Sequence, residues 1–387
     1  MSGPVFAFNV AADLAWWAGS SFTLISLLCV LLMVALRLRS DLEQRRRIKV
    51  ASRIEPLLFH ATEPAAAADD GYEDNNGSPV PAASDISSDF DGRQGFLLFL
   101  EEWNYLHESL DGEAKDGLNK LANNLRIIDE ITALLDSPFV DRRLLAINTL
   151  GNLREASAYE RIETIAASAD PIVSSWAWRA LMRIDTKAAV DRDLKMIAGR
   201  DDWSPIFVAE VLQGLDADIL SVPLCSLVRE CHEQRLPERQ MARLISYLIF
   251  SHVYDHNSLI SRIINESSEK EVLIACLRLV QDDSVLARVR ELAKDERWEV
   301  RLQVVLTLGR LGHAEDTELL INALEDPDWW VRYRAASALI NMPDVSRKQI
   351  DRLSRTLPNE FARDILNQVK AEMELSCLKP SSLALSR

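Results

Sequence analysis

The chain has 387 residues and a formal net charge of −15. That length is enough for two ordinary domains, or for one repeat array whose core grows along its axis. An acidic chain repels phosphate backbones, which sets nucleic acid aside as a general partner. The five cysteines show no paired spacing, so they suit a reducing compartment, where thiols pack as small apolar groups.

Residues 1–13 form a short amino terminus without Lys or Arg. Residues 14–36 then run 23 residues without a charge, and about 20 apolar residues cross a bilayer's hydrocarbon layer. Trp16 and Trp17 stand at one end, where indoles favour the interface. A basic segment, 37–55, follows at the other end, with Arg37, Arg39, Arg45, Arg46, Arg47 and Lys49 placed to meet lipid headgroups. A cleaved signal peptide would have the opposite polarity, with a basic start. The expectation is a single-pass anchor in the inner (cytoplasmic) membrane, with the amino terminus outside and everything after residue 37 in the cytoplasm.

Residues 56–95 change character to Ala, Asp, Gly, Ser and Pro. With little apolar surface to offset ordering entropy, they read as a disordered acidic linker. About 40 such residues would span roughly 35 Å. Over 96–135, apolar residues recur at helical spacing, first Phe96 to Leu110 and then Leu118 to Leu135. These predict two helices that cap the array behind them.

From 136 to 375 a nine-residue pattern recurs: apolar-x-x-x-Ala/Val-x-x-small-Leu. Val331–Leu339 is the cleanest copy, Val300–Leu308 repeats it, and Val173–Leu181 and Phe207–Leu215 follow the register. Weaker copies end at Leu150, Leu248 and Leu279. The terminal leucines are 31, 34, 33, 31, 29 and 31 residues apart. So steady a period means stacked helix pairs, none able to bury its apolar face alone. Second helices are predicted at Tyr159–Ala167, Leu286–Ala293 and Thr317–Leu324. Asp170-Pro171, Asp326-Pro327 and Asp136-Ser137-Pro138 read as acidic or Ser N-caps followed by Pro in the first turn. A last helix, Glu360–Leu375, closes the stack before a frayed tail over 376–387.

Asp326-Pro327-Asp328-Trp329-Trp330-Val331-Arg332, followed by Ala335-Ala336-Ser337-Ala338-Leu339, resembles a HEAT repeat of the short bacterial kind, also found in phycobilisome lyase subunits. The resemblance covers about 118–375; two repeats match closely and five in their apolar register. It implies an all-α, right-handed α-solenoid of about seven helix pairs whose commonest role is protein–protein binding. It carries no catalytic residue and no cofactor to transfer.

Within the array, Trp203, Trp298, Trp329 and Trp330 all lie near the starts of first helices. They form either an aromatic ridge for a partner or packing for the turns between layers. Arg301 and Arg332 share a repeat position, with Arg143 a weaker third. They could read an anionic group, but their regular company of Asp295 and Asp326 favours a ladder between repeats. His252 and His256 stand four apart without a third zinc ligand, and Cys225 with Cys231-His232 matches no zinc module, so no metal is expected. No phosphate-binding loop or nucleophile elbow is present. The expected function is a membrane-anchored scaffold that grips a partner protein, such as a membrane-bound enzyme of an envelope or polysaccharide pathway. The alternative is a repeat-based enzyme of the bilin-lyase type, or a DNA glycosylase on related helical repeats, which would need a basic groove.

Overall fold

The computed structural model describes residues 30–34, 37, 52, 54–62 and 92–378 apart from 312. The expected membrane span therefore lies outside the described residues except at 30–34, which are helical and exposed. Of the headgroup residues, Arg37 alone is described, and it is exposed. Among the described residues no helix is long and apolar enough to cross a membrane.

All regular structure among the described residues is helical. The chain divides into two compact units, Met1–Ile165 and Ala166–Arg387.

The first unit contains α1 (Gly92–Ser109), α2 (Glu113–Asn124), α3 (Ile128–Leu134), α4 (Val140–Leu153) and the start of α5 (Tyr159–Ala166). The two expected capping helices are three. The apolar periodicity from Leu118 to Leu135 is cut at Arg126, whose φ of 53° breaks the helix although its neighbours Leu125 and Ile127 stay buried. Two further differences fall on the expected linker. Residues 54–61 are helical with Ile54 and Leu58 buried, and α1 begins at Gly92. The carbonyl of Ala61 lies against Gly117 of α2, in the space a side chain would take, so only glycine admits the 54–61 helix there. Trp103 anchors the unit, with Nε1 donating to the Leu118 carbonyl (3.0 Å) and its ring stacked on His107. A buried amide cluster pins α1 to α4. Asn104 Nδ2 donates to Thr149 Oγ1 (2.7 Å), and Asn152 Nδ2 donates to Asn104 Oδ1 (2.8 Å).

The second unit alternates two layers. One holds the helices of the nine-residue pattern that fall in this unit, α6 (Pro171–Ile184), α9 (Pro205–Gln213), α11 (Glu238–Tyr247), α13 (Lys270–Leu279), α15 (Trp298–Leu311) and α17 (Trp329–Asn341), and after them α19 (Glu360–Leu378), each packed on the next. The other holds α7 (Thr186–Asp193), α10 (Ala217–Glu233), α12 (Val253–Glu266), α14 (Leu286–Leu292), α16 (Thr317–Ala323) and α18 (Arg347–Thr356). A four-residue helix, α8 (Met196–Gly199), leads into the α9 turn.

The pattern positions are the core. Val300, Val304, Val305 and Leu308 of α15 are sealed from water, as are Val331, Ala335, Ala336 and Leu339 of α17. Each large aliphatic buried this way contributes about 1.5–3 kcal/mol. Small residues set the spacing of these helices. A Cβ on Gly309 would stand 2.6 Å from the Cβ of Ala338, so α15 and α17 meet closer than any pair of larger residues allows.

The predicted second helices begin at Tyr159, Leu286 and Thr317, each behind a three-residue 3₁₀ turn. Asp170 caps α6 by accepting from the N–H groups of Ile172 (2.9 Å) and Val173 (3.2 Å), with Pro171 in the first turn. The other two expected caps are corrected. Asp328, not Asp326, caps α17 by accepting from Trp330 N (2.8 Å). At α4 the cap position falls to Phe139, past Asp136 and Ser137, and no side chain caps the helix there. Ser137 Oγ instead accepts from the N–H of Phe139 (3.3 Å), which shapes the turn before the helix. The register at α9 is corrected too. The helix ends before Gly214, so Leu212 is fully buried and Leu215 only half-buried. The last helix runs past Leu375 to Leu378.

Candidate partner-binding surface

Three arginines 31 residues apart do the same work in the second unit. Arg301 Nη1 donates to the carbonyls of Asp295 (2.8 Å) and Glu296 (3.0 Å). Arg332 Nη1 donates to those of Asp326 (2.7 Å) and Pro327 (2.9 Å). Arg363 Nη1 donates to those of Leu357 (2.6 Å) and Pro358 (3.2 Å). Each guanidinium reaches back six and five residues and ties the interhelical turn to the helix it opens. Arg301 adds a rung to the next repeat, a two-pronged pair with Asp326 at 2.7 and 2.9 Å. The ladder expected for Arg301 and Arg332 is thus a turn clamp in both and an inter-repeat rung in Arg301. Arg143 has no place in it: its Nε is buried without a partner. Arg363 takes the third place, and its 31-residue spacing was the signal that could have found it.

Further cations close other joints. Arg297 pairs with Asp295 at 2.8 and 2.7 Å, and this guanidinium holds the Asp295 carboxyl below the usual carboxylate range. Arg310 donates to the carbonyls of Arg278 (2.8 Å), Leu277 (3.2 Å) and Val280 (2.5 Å), closing the carboxyl end of α13.

The four candidate tryptophans separate into two kinds. Trp203 is core, at 2 % exposure, and its indole N–H donates to Ser174 Oγ (2.9 Å) against the ring of Trp178. It stands before the N-cap Ser204, where the chain turns inward, so it leaves the set of surface candidates. Trp298 and Trp329 are the first residues of α15 and α17, and they remain 38 % and 40 % exposed. Trp330 follows at 51 %. Trp329 meets Trp330 edge-on and stacks on Tyr333 with ring centroids 5.1 Å apart.

The second position of these helices carries a longer series than the tryptophans revealed. Ile172 of α6, Ile206 of α9, Trp330 of α17 and Phe361 of α19 all occupy it, and all are exposed. The intervening helices place Arg239, Glu271 and Glu299 there. Spacing from Trp330 would have found Phe361. Below these residues, between α11, α13 and α15, lies an open groove of about 1090 Å³.

The histidines do not converge. His252 Nε2 meets Asp218 at 2.8 Å and its ring stacks on Tyr254. His256 is buried, with Nδ1 bonded to Ser251 Oγ at 2.9 Å, and burial lowers its pKa. Among the described residues no three His, Cys, Asp or Glu side chains cluster as metal ligands would. Cys225, Cys231 and Cys276 are buried free thiols, raised in pKa by desolvation.

Compared with known proteins, residues 258–357 match the HEAT repeat family, from within α12 to the end of α18. No curated protein matches the chain. The chain thus carries HEAT repeats over that stretch, helices of the kind that generally mediate protein–protein binding.

Proposed function

We propose that this chain is a membrane-anchored cytoplasmic scaffold whose repeats, continuing beyond 258–357 as a right-handed solenoid of about seven pairs, hold a partner protein. The observation that carries the reading is the exposed series at the starts of α15, α17 and α19. Trp298 and Trp329 share the first position of their helices and Trp330 and Phe361 the second, and all four keep large apolar surface in water. Exposed large aromatics that recur at the starts of successive helices support an interaction site, and Trp is enriched in binding hot spots. The uncharged run 14–36 and the basic residues after it supply the anchor in this reading. Anchoring would raise the effective concentration of a membrane-bound partner, an enzyme of an envelope pathway among them.

The test is affinity purification of the full chain from detergent-solubilised membranes, beside a Trp298→Ala/Trp329→Ala variant. Both side chains are part-exposed, so the variant keeps its fold, checked by circular dichroism. A partner held by the parent and lost by the variant is the expected result. Absence of any specific partner, or equal recovery with both forms, would overturn the assignment of this surface.

A further inference from the structure

We infer that Arg332 receives a carboxylate side chain of the partner protein, in the place that Asp326 takes on Arg301 one repeat earlier. The inference rests on the scaffold reading above and deepens it.

Two successive turns read Asp326-Pro327-Asp328-Trp329-Trp330-Val331-Arg332 and Leu357-Pro358-Asn359-Glu360-Phe361-Ala362-Arg363. Their caps fix the alignment. Asp328 accepts from the N–H of Trp330, and Asn359 Oδ1 accepts from the N–H of Phe361 (2.9 Å). Nη1 of Arg332 and of Arg363 sits on equivalent carbonyls, as Nη1 of Arg301 does in the repeat before. A guanidinium is rigid and planar, so fixing Nη1 also fixes the edge formed by Nε and Nη2. In Arg301 that edge is filled by Asp326 of the next turn at 2.7 and 2.9 Å, with the charge of Asp328 nearby. In Arg332 the corresponding turn carries Leu357 where Asp326 stood and Asn359 where Asp328 stood. The Leu357 side chain offers no acceptor, and Asn359 Oδ1 serves the cap of α19. Nε and Nη2 of Arg332 have no hydrogen-bond or ion-pair partner among the described residues, and neither is sealed from water. Glu360, the exposed first residue of α19, forms no ion pair with Arg332.

The molecule thus shows on Arg301 what this fork binds, and on Arg332 it removes both acids that face it. A carboxylate matches the two N–H groups of the fork in one plane, which selects it over a neutral acceptor. The neighbouring surface sets what accompanies the carboxylate. Trp330 and Phe361 are exposed at the second positions of α17 and α19, the two helices that pack together at this joint. A partner segment that lays apolar side chains on these rings would screen the pair from water, as the Arg301–Asp326 pair is screened, and strengthen it. The occupant is therefore an Asp or Glu of the partner with apolar side chains close by.

The experiment selects from a random displayed peptide library on the full chain held in detergent. Winners are then made with amidated carboxyl ends, so that only side chains carry the negative charge. They are expected to hold Asp or Glu near Leu, Ile, Phe or Trp. Changing that acid to its amide should weaken binding to the parent at least about tenfold, but less than about threefold in Arg332→Lys, which keeps the charge without the fork. Asn359→Asp keeps the cap of α19 and restores the acid of the previous turn. It should weaken the acidic peptide by about threefold or more and leave the amide peptide unchanged. If Arg332 only held its turn, Arg332→Lys would weaken the acidic and amide peptides alike. That result, winners without an acid, binding lost on amidation of the carboxyl end, or no effect of Asn359→Asp would each overturn the inference. So would displacement of the acidic peptide by inorganic phosphate as readily as by glutarate. Failure of the underlying reading looks different. A membrane capture that yields no specific partner fails the scaffold. A partner lost by the Trp298→Ala/Trp329→Ala variant but held equally by the parent, Arg332→Lys and Asn359→Asp keeps the scaffold and overturns the carboxylate.

Discussion

Replacing Arg301 by Ala should loosen one joint of the array without removing any apolar core. Four hydrogen bonds go with the side chain: two to the Asp326 carboxylate and two to the carbonyls of Asp295 and Glu296. The pair is largely shielded, with side-chain exposures of 14 % for Arg301 and 9 % for Asp326. Asp326 would keep only the N–H of Asp328 at 2.8 Å. Breaking a buried pair costs about 3–5 kcal/mol and an exposed pair is worth about 0–1 kcal/mol. A shielded pair with one face near solvent should fall at about 3 kcal/mol. For a unit of this size that is a drop in Tm of roughly 6–12 °C. Denaturant unfolding gives the total, and hydrogen exchange gives the place, with faster exchange expected in the turn 295–297 and the first turn of α17. Arg301→Lys keeps the charge but not the fork, so it should recover less than half of the loss. A double-mutant cycle with Asp326→Asn should give a coupling of at least about 1 kcal/mol. A loss below about 0.5 kcal/mol, or strict additivity in the cycle, would show that the rung is a solvated contact and that the clamp argument is wrong.

Other expectations follow from the same geometry. Gly309→Ala sets a methyl 2.6 Å from that of Ala338 and should cost about 1–3 kcal/mol in denaturant unfolding, with Ala338→Gly restoring most of it. Trp203→Ala empties a core site and should cost about 3–5 kcal/mol, whereas Trp330→Ala should stay within about 0.5 kcal/mol, measured side by side. Burial lowers the pKa of His256, so the unfolded chain binds a proton there at a higher pH than the folded one. Stability from this site is therefore complete above the ordinary imidazole value, about 6.5, and declines as pH falls below it. His256→Leu should flatten that part of the curve, and an unchanged slope would assign it elsewhere. Cys225, Cys231 and Cys276 should resist an aqueous thiol reagent until denaturant is added.

What the sequence made legible was whatever repetition encodes. The nine-residue pattern places the buried faces of α15 and α17, and the starts at Tyr159, Leu286 and Thr317 follow from it. Exceptions arise where a local event interrupts the period without a residue that signals it. Arg126 turns the chain at positive φ, a place where glycine would have announced the break. At α9 the helix stops before Gly214, and the core takes Leu212, which lies 31 residues after Leu181, instead of Leu215 at 34. Trp203 differs from the other tryptophans in where its helix starts. It stands before its N-cap, while Trp298 and Trp329 are already helical, so a difference of one turn's entry sends one indole inward and leaves the others at the surface. The groove was not legible at all, because Arg239, Ile274, Arg278 and Leu302 come from three helices and share no motif.

The turn clamps and the exposed aromatic series meet at the same helix ends, and that placement gives the clamps a consequence beyond stability. Arg332 holds the turn Asp326–Pro327, and the helix that this turn opens begins with Trp329 and Trp330. Arg301 holds the turn before Trp298, and Arg363 the one before Phe361. Binding surfaces gain from groups whose positions are fixed before the partner arrives, since less ordering remains to be done on association. Arg301→Ala touches none of the exposed rings, yet by this argument it should weaken a partner held through Trp298, and do so with little change in the salt dependence of binding. Loss of affinity with unchanged thermal stability elsewhere in the unit would show positioning at work. Full affinity in a variant whose α15 turn exchanges freely would show that the aromatic series needs no such support.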